Sequence, residues 1–199
     1  MVKLNKLLNH LKKSRKLIRM TIVGDGAVGK TTLVQAMLEK SNIETKLSDE
    51  DAKIEINRTP FIEIEAWRYQ DLLIQCYDLA GQREKGKHPA DILDDQVFSF
   101  IDIYLFVFSL NRYESFENLN NWMKLVNLRE PESNGNIGFI LVGNKSDLDR
   151  NVSDDLIQSV VGSNNHFGKY IETSATKGIG IENLLNEIAK TGKSLLNSN

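Results

Sequence analysis

Residues 24–31 read Gly24, Asp25, Gly26, Ala27, Val28, Gly29, Lys30 and Thr31, the pattern G-x-x-x-x-G-K-[ST]. These residue types suit an anion with several phosphates. Glycines let successive backbone N–H groups converge on one point, and a helix N-terminus adds the positive end of its dipole. A lysine in the seventh place reaches terminal phosphates, and the hydroxyl after it holds Mg²⁺. The pattern carries that meaning only where a strand leads in and a helix leads out. Here the largely apolar run Leu17–Val23 precedes it, and Thr32 to Leu38 follow with apolar residues at helical spacing.

Three more polar clusters follow apolar runs: Asp78-Leu79-Ala80-Gly81-Gln82, Asn144-Lys145-Ser146-Asp147 and Ser174-Ala175-Thr176. The elements that position them are read from periodicity. Phe61 to Trp67 alternates apolar and polar and predicts an edge strand, with a turn at Arg68-Tyr69-Gln70-Asp71. Leu72 to Tyr77 is the next strand. Ile103 to Phe108 is apolar throughout and predicts a central parallel strand covered on both faces. Ile137 to Val142 and Lys169 to Thr173 complete six strands. Helices are expected over 91–100, 114–129 and 154–161, the last with Ser153 as N-cap. A closing helix carries Ile181, Leu184, Leu185 and Ile188, with Gly192 as its stop. Residues 41–58 are polar and acid-rich and read as a long surface loop. This alternation predicts an α/β fold, a doubly wound, mostly parallel six-stranded sheet with helices on both faces. In such sheets ligands sit beyond the carboxyl ends of the strands, which is where every cluster above falls.

The ordered set GDGAVGKT, a switch threonine, DLAGQ, NKSD and TSAT resembles the small Ras-like GTPases, a group of P-loop NTPases, over roughly residues 16–192. The resemblance implies that Asn144, Lys145 and Asp147 select guanine. A carboxylate accepts both guanine donors on one edge, and adenine lacks that pair. Hydrogen bonds to charged groups are worth about 1.5–3 kcal/mol each, so losing the pair costs roughly two to four decades of affinity. It further implies that Asn144 ties its loop to the phosphate loop, that Lys145 covers the base, and that the Ala175 N–H meets the base oxygen. Ser174, Ala175 and Thr176 complete that loop; the family usually has lysine where Thr176 stands, and Lys177 comes one place late. Asp78 is similar to the residue that reaches Mg²⁺ through water, beside Thr31. Gly81 would meet the γ-phosphate, and Gln82 would orient the attacking water, with Lys30 neutralising charge. Thr59 is the expected switch threonine on Mg²⁺ and phosphate, with Thr45 as rival. The interval of 19 positions from Thr59 to Asp78 resembles Arf-like and Gα-like proteins. Ile56 stands where the Gα group carries an arginine, and Arg58 is adjacent. The stretch 94–101 is similar to Rag-type GTPases. The implied function is a Mg²⁺-dependent GTP/GDP switch with effector, exchange-factor and GTPase-activating partners, and slow turnover without the last. The competing readings are a GTP-loaded scaffold with negligible hydrolysis and a P-loop ATPase or kinase.

With 199 residues, 41% hydrophobic and 26% charged, the chain is expected to form one globular domain. No apolar run reaches about 18 residues, which predicts no membrane span. The single cysteine, Cys76, allows no disulfide framework and fits a cytoplasmic setting. Residues 1–19 hold seven basic side chains and no acid; the remainder holds 18 basic and 27 acidic groups. An acidic body with a basic head is not the profile of a nucleic-acid binder.

Leu4, Leu7, Leu8 and Leu11 form one helical face, and lysines fill the rest. The pattern suits an interfacial helix on an anionic membrane surface through residues 2–14. Burying four leucines at about 1.5–3 kcal/mol each barely offsets the ordering of a dozen residues, so attachment would be weak and reversible. The same face would serve a helix packed on the domain, or a solvated arm. Val2 is not the glycine of N-myristoylation, and the terminal residues offer no prenylatable cysteine. The expected organisation is a basic helix over 1–15, a GTPase domain over 16–192 and a short tail over 193–199.

Overall fold

The structure is a computed structural model that describes residues 16–45, 62–79, 100–127, 137–163, 167 and 169–198. Among them the elements run β1 (Leu17–Val23), α1 (Lys30–Thr45), β2 (Ile62–Tyr69), β3 (Leu72–Leu79), β4 (Ile103–Ser109), α2 (Tyr113–Glu117), α3 (Leu119–Asn127), β5 (Gly138–Asn144), α4 (Asp154–Ser163), β6 (Lys169–Glu172) and α5 (Ile181–Ser198). The six strands form one sheet in the order β2-β3-β1-β4-β5-β6. β1 is parallel to β3 and β4, β4 to β5, and β5 to β6. β2 alone runs antiparallel, at the edge, because only Gln70 and Asp71 separate it from β3. The expected doubly wound sheet is therefore present.

β4 shows why the sheet must be covered on both faces. All seven of its residues are buried, and strand alternation sends them to two separate cores. Ile103, Leu105 and Val107 join Ile18, Met20 and Ile22 of β1, under Leu33 and Met37 of α1 and Leu184 and Ile188 of α5. Tyr104, Phe106 and Phe108 face the other way, toward Phe116, Leu119 and Met123 of α2–α3 and Ile157 of α4. That second core is aromatic: Phe108 meets Phe116 edge-on at 5.1 Å and Phe106 meets Phe167 at 5.3 Å.

Several sequence expectations change, the first at the β2–β3 turn, which is only Gln70 and Asp71 because Arg68 and Tyr69 pair within the sheet. The first helix does not give way to loop at residue 41 but continues to Thr45. Buried Ser41 donates to the Met37 carbonyl, so its hydroxyl is satisfied inside the helix. The helix expected over 114–129 divides at Asn118, whose backbone N–H caps α2 by donating to the Glu114 carbonyl. The sixth strand ends at Glu172, one residue short of Thr173. Gly192 does not stop the closing helix, which runs on to Ser198. It is buried, and a Cβ there would lie 2.8 Å from Ile18 Cγ1. The residue is glycine because α5 crosses β1 closely.

Candidate functional site

β1, β3, β4, β5 and β6 all point their carboxyl ends to one edge of the sheet. The loop after β1 is shaped by its glycines. Gly24 has φ +149°, and a Cβ there would lie 2.1 Å from the Val107 carbonyl oxygen. Gly29 has φ +94°, with Asn144 Nδ2 only 2.6 Å from a Cβ position. No other residue fits either place. Ala27 between them takes φ +61°. Lys30 opens α1 with its side chain folded back over the loop, and Nζ donates to the carbonyls of Gly24 and Asp25 at 2.8 Å each. Only 7% of the residue is exposed. Burial lowers the Lys30 pKa, against the attraction of the Asp78 and Asp25 carboxylates and with the help of Arg112. Thr31 Oγ1 donates to Asp78 Oδ2 at 2.7 Å, so a hydroxyl from α1 and a buried carboxylate from β3 lie side by side.

The opposite side of the crevice is organised by Asn144, which is 1% exposed. Its Nδ2 donates to the Val28 carbonyl at 2.9 Å. Its Oδ1 accepts from Thr173 Oγ1 at 3.1 Å and from the Ala175 N–H at 3.2 Å. One side chain thus joins the phosphate loop, the end of β5 and the loop after β6. Lys145, at φ +65°, donates from Nζ to the Ala27 carbonyl at 2.8 Å. Asp147 accepts a hydrogen bond from the Ser174 hydroxyl, which holds its carboxyl below the usual carboxylate range. Gly29, Thr32, Asn144, Lys145, Asp147, Leu148, Ala175 and Thr176 line a cleft of about 270 Å³. Ionised Asp147 offers an acceptor edge, the Ala175 backbone is adjacent, and the floor is the phosphate loop. The arrangement can take a flat heterocycle at one end and phosphates at the other.

The structure brings together Gly24 to Thr32, Asp78, Asn144, Lys145, Asp147, Ser174, Ala175 and Thr176. Thr59, Gly81 and Gln82 lie outside the described residues, as do residues 1–15 and all but the last residue of the helix expected over 91–100; Phe100 itself is in a turn. Thr45 is the last residue of α1.

Sequence reasoning missed the brace on the far side of the phosphate loop. Asp25 Oδ1 accepts from Trp122 Nε1 and Oδ2 from Asn118 Nδ2, both at 2.9 Å. Arg112 Nη2 donates to the Gly26 carbonyl at 2.7 Å. Thr173, bonded to Asn144, reads in the sequence only as the end of a strand. No spacing rule marks these residues; the pairs are 86 to 97 positions apart for the brace.

Among the described residues no helix is long and apolar enough to cross a membrane, and Cys76 is a buried free thiol.

Residues 19–194 match the family described as the Ras family. The chain is 31% identical to "Ras-related protein Rab7" of Pisum sativum over 183 residues, covering 88% of this chain and 82% of that one. It is 32% identical to "Ras-related protein RABG3f" of Arabidopsis thaliana, with the same coverage. It is 27% identical to "GTP-binding protein yptV5" of Volvox carteri, covering 85% of this chain and 79% of that one. The first two carry Rab names, whereas the interval expected between Thr59 and Asp78 resembles Arf-like proteins; the matches assign the family without choosing a branch. With the phosphate loop, the Asn144 hub and the strand order in place, the chain belongs to the Ras family and is a small GTPase.

Proposed function

We propose that this chain holds a guanine nucleotide across the crevice, hydrolyses GTP to GDP, and signals the difference to partner proteins. The observation that carries the reading is the Asn144 hub. It fixes the phosphate loop, through Val28, against the loop that bears Ala175. That spacing lets one ligand bridge Lys30 and Asp147. Gly24 to Thr32 form the phosphate cradle. Asn144, Lys145, Asp147, Ser174, Ala175 and Thr176 form the base pocket. Thr31 and Asp78 present hydroxyl and carboxylate oxygens within 2.7 Å of each other, the hard donors that Mg²⁺ takes. They would hold the ion, Asp78 through water, with Thr59 closing on it; the ion would neutralise charge on the phosphates.

Gln82 positions the attacking water and the Gly81 N–H meets the γ-phosphate. Loss of that phosphate releases Thr59 and Gly81, and effectors, exchange factors and activating proteins sense the change. Turnover is slow without an activating partner. The chain works in the cytoplasm, and the leucine face and lysines of residues 2–14 support reversible peripheral attachment to anionic membranes.

Asp147→Asn tests the base pocket. An amide donates where guanine needs an acceptor, so GTP should bind about two to four decades more weakly and xanthosine triphosphate more tightly. Titration calorimetry with both nucleotides reads the result. Unchanged GTP affinity in the variant would remove Asp147 from the pocket.

A further inference from the structure

Ile56 stands where the resemblance to Gα-like proteins would place an arginine. A different part of the structure brings one to the phosphates' side. Arg112 follows β4 and its backbone is pinned: its N–H donates to the Ser109 carbonyl at 3.0 Å, and its carbonyl accepts from Ser115 Oγ at 2.7 Å. The guanidinium crosses to the phosphate loop and donates to the Gly26 carbonyl at 2.7 Å. It lies near enough to Lys30 to depress that lysine's affinity for a proton. Two cations therefore approach one loop, Lys30 from inside and Arg112 from the rim.

The acids nearby are not ion-paired with the guanidinium; their bonds go to neutral donors. Both oxygens of Asp25 are occupied by Asn118 and Trp122, and Asp78 is bonded to Thr31. Among the described residues Arg112 forms no salt bridge. A guanidinium held beside an anion-binding loop, with a cationic neighbour and no ion pair among the described residues, has its natural partner in the anion that loop receives.

Resting on the guanine-nucleotide reading above, we propose that Arg112 is a built-in arginine of the hydrolytic site, directed at the terminal phosphates. In the step it serves, the water oxygen bonds to the γ-phosphorus as the bond to the bridging oxygen breaks. The electron pair stays on the β-phosphate of GDP, and the water's proton passes to the released phosphate. Negative charge grows on the bridging and terminal oxygens. The planar fork of Arg112 leaves the Gly26 carbonyl or shares it, and donates to those oxygens.

The test is single-turnover hydrolysis of preloaded GTP by wild type, R112Q and R112K. It is joined by trapping of GDP with aluminium fluoride, a mimic of the transferring phosphoryl group. R112Q should load GTP to the same stoichiometry, hydrolyse it about 10–100-fold more slowly and fail to trap the fluoride complex that wild type traps. GDP release should quicken by less than hydrolysis slows, as for loss of the single bond to the Gly26 carbonyl, whereas a merely structural brace would quicken release without abolishing fluoride trapping. R112K keeps the charge without the fork and should recover part of the rate. Hydrolysis by R112Q at the wild-type rate, or a GDP release accelerated as much as hydrolysis is slowed, overturns the proposal. Wild type that cannot be loaded with GTP would instead sink the nucleotide reading itself, before any variant is measured.

Discussion

At the phosphate end of the crevice the loop is shaped by its own backbone, through Gly24 and Gly29, and braced from outside by Arg112, Asn118 and Trp122. At the proposed base end two loops depend on one buried amide, Asn144, while the carboxylate of Asp147, proposed to select the base, is exposed. The difference teaches how the two tasks are separated. Gripping phosphates needs many converging donors, so the load is spread and no single brace is indispensable. Choosing a base needs two loops in register, so the load concentrates on the hub.

The sharpest way to break that comparison is Asn144→Ala. It leaves the buried Val28 carbonyl and Thr173 hydroxyl, and the part-buried Ala175 N–H, without their Asn144 partner. Thermal unfolding should report a loss of about 2–4 kcal/mol, and GTP affinity should fall by about two decades or more. A variant as stable and as tight as wild type would show that the loops are held some other way.

A smaller effect is expected at the other end. Trp122→Phe keeps the ring in the aromatic core but removes one of the two donors to Asp25. GDP release should quicken about three- to tenfold, as for loss of a part-exposed bond to a charged group. The preference for guanine over xanthine should not move. A shift in base preference would mean that the two ends are not separate; stopped-flow release and competition binding distinguish these outcomes.

Much of the fold and site was legible because it is local. A glycine-rich turn between an apolar strand and a helix specifies its own backbone, and uniformly apolar Ile103 to Phe108 announces a strand covered on two faces. The brace was not legible, because Trp122 and Asn118 look like ordinary members of a helix until tertiary packing brings α3 beside Asp25. Gly192 misled for a related reason. In sequence a glycine late in an amphipathic run resembles a C-terminal stop; in the fold it makes room for Ile18. Residues 41–45 misled because polar composition suggested loop, whereas α1 continues to Thr45.

The most direct measurement is the identity of the nucleotide that leaves the purified protein on mild denaturation, together with competition by ATP. The account predicts guanosine di- or triphosphate in a one-to-one ratio, retained against excess ATP and lost faster when Mg²⁺ is chelated. Adenosine nucleotide in the crevice, or displacement of the bound nucleotide by ATP, would contradict it.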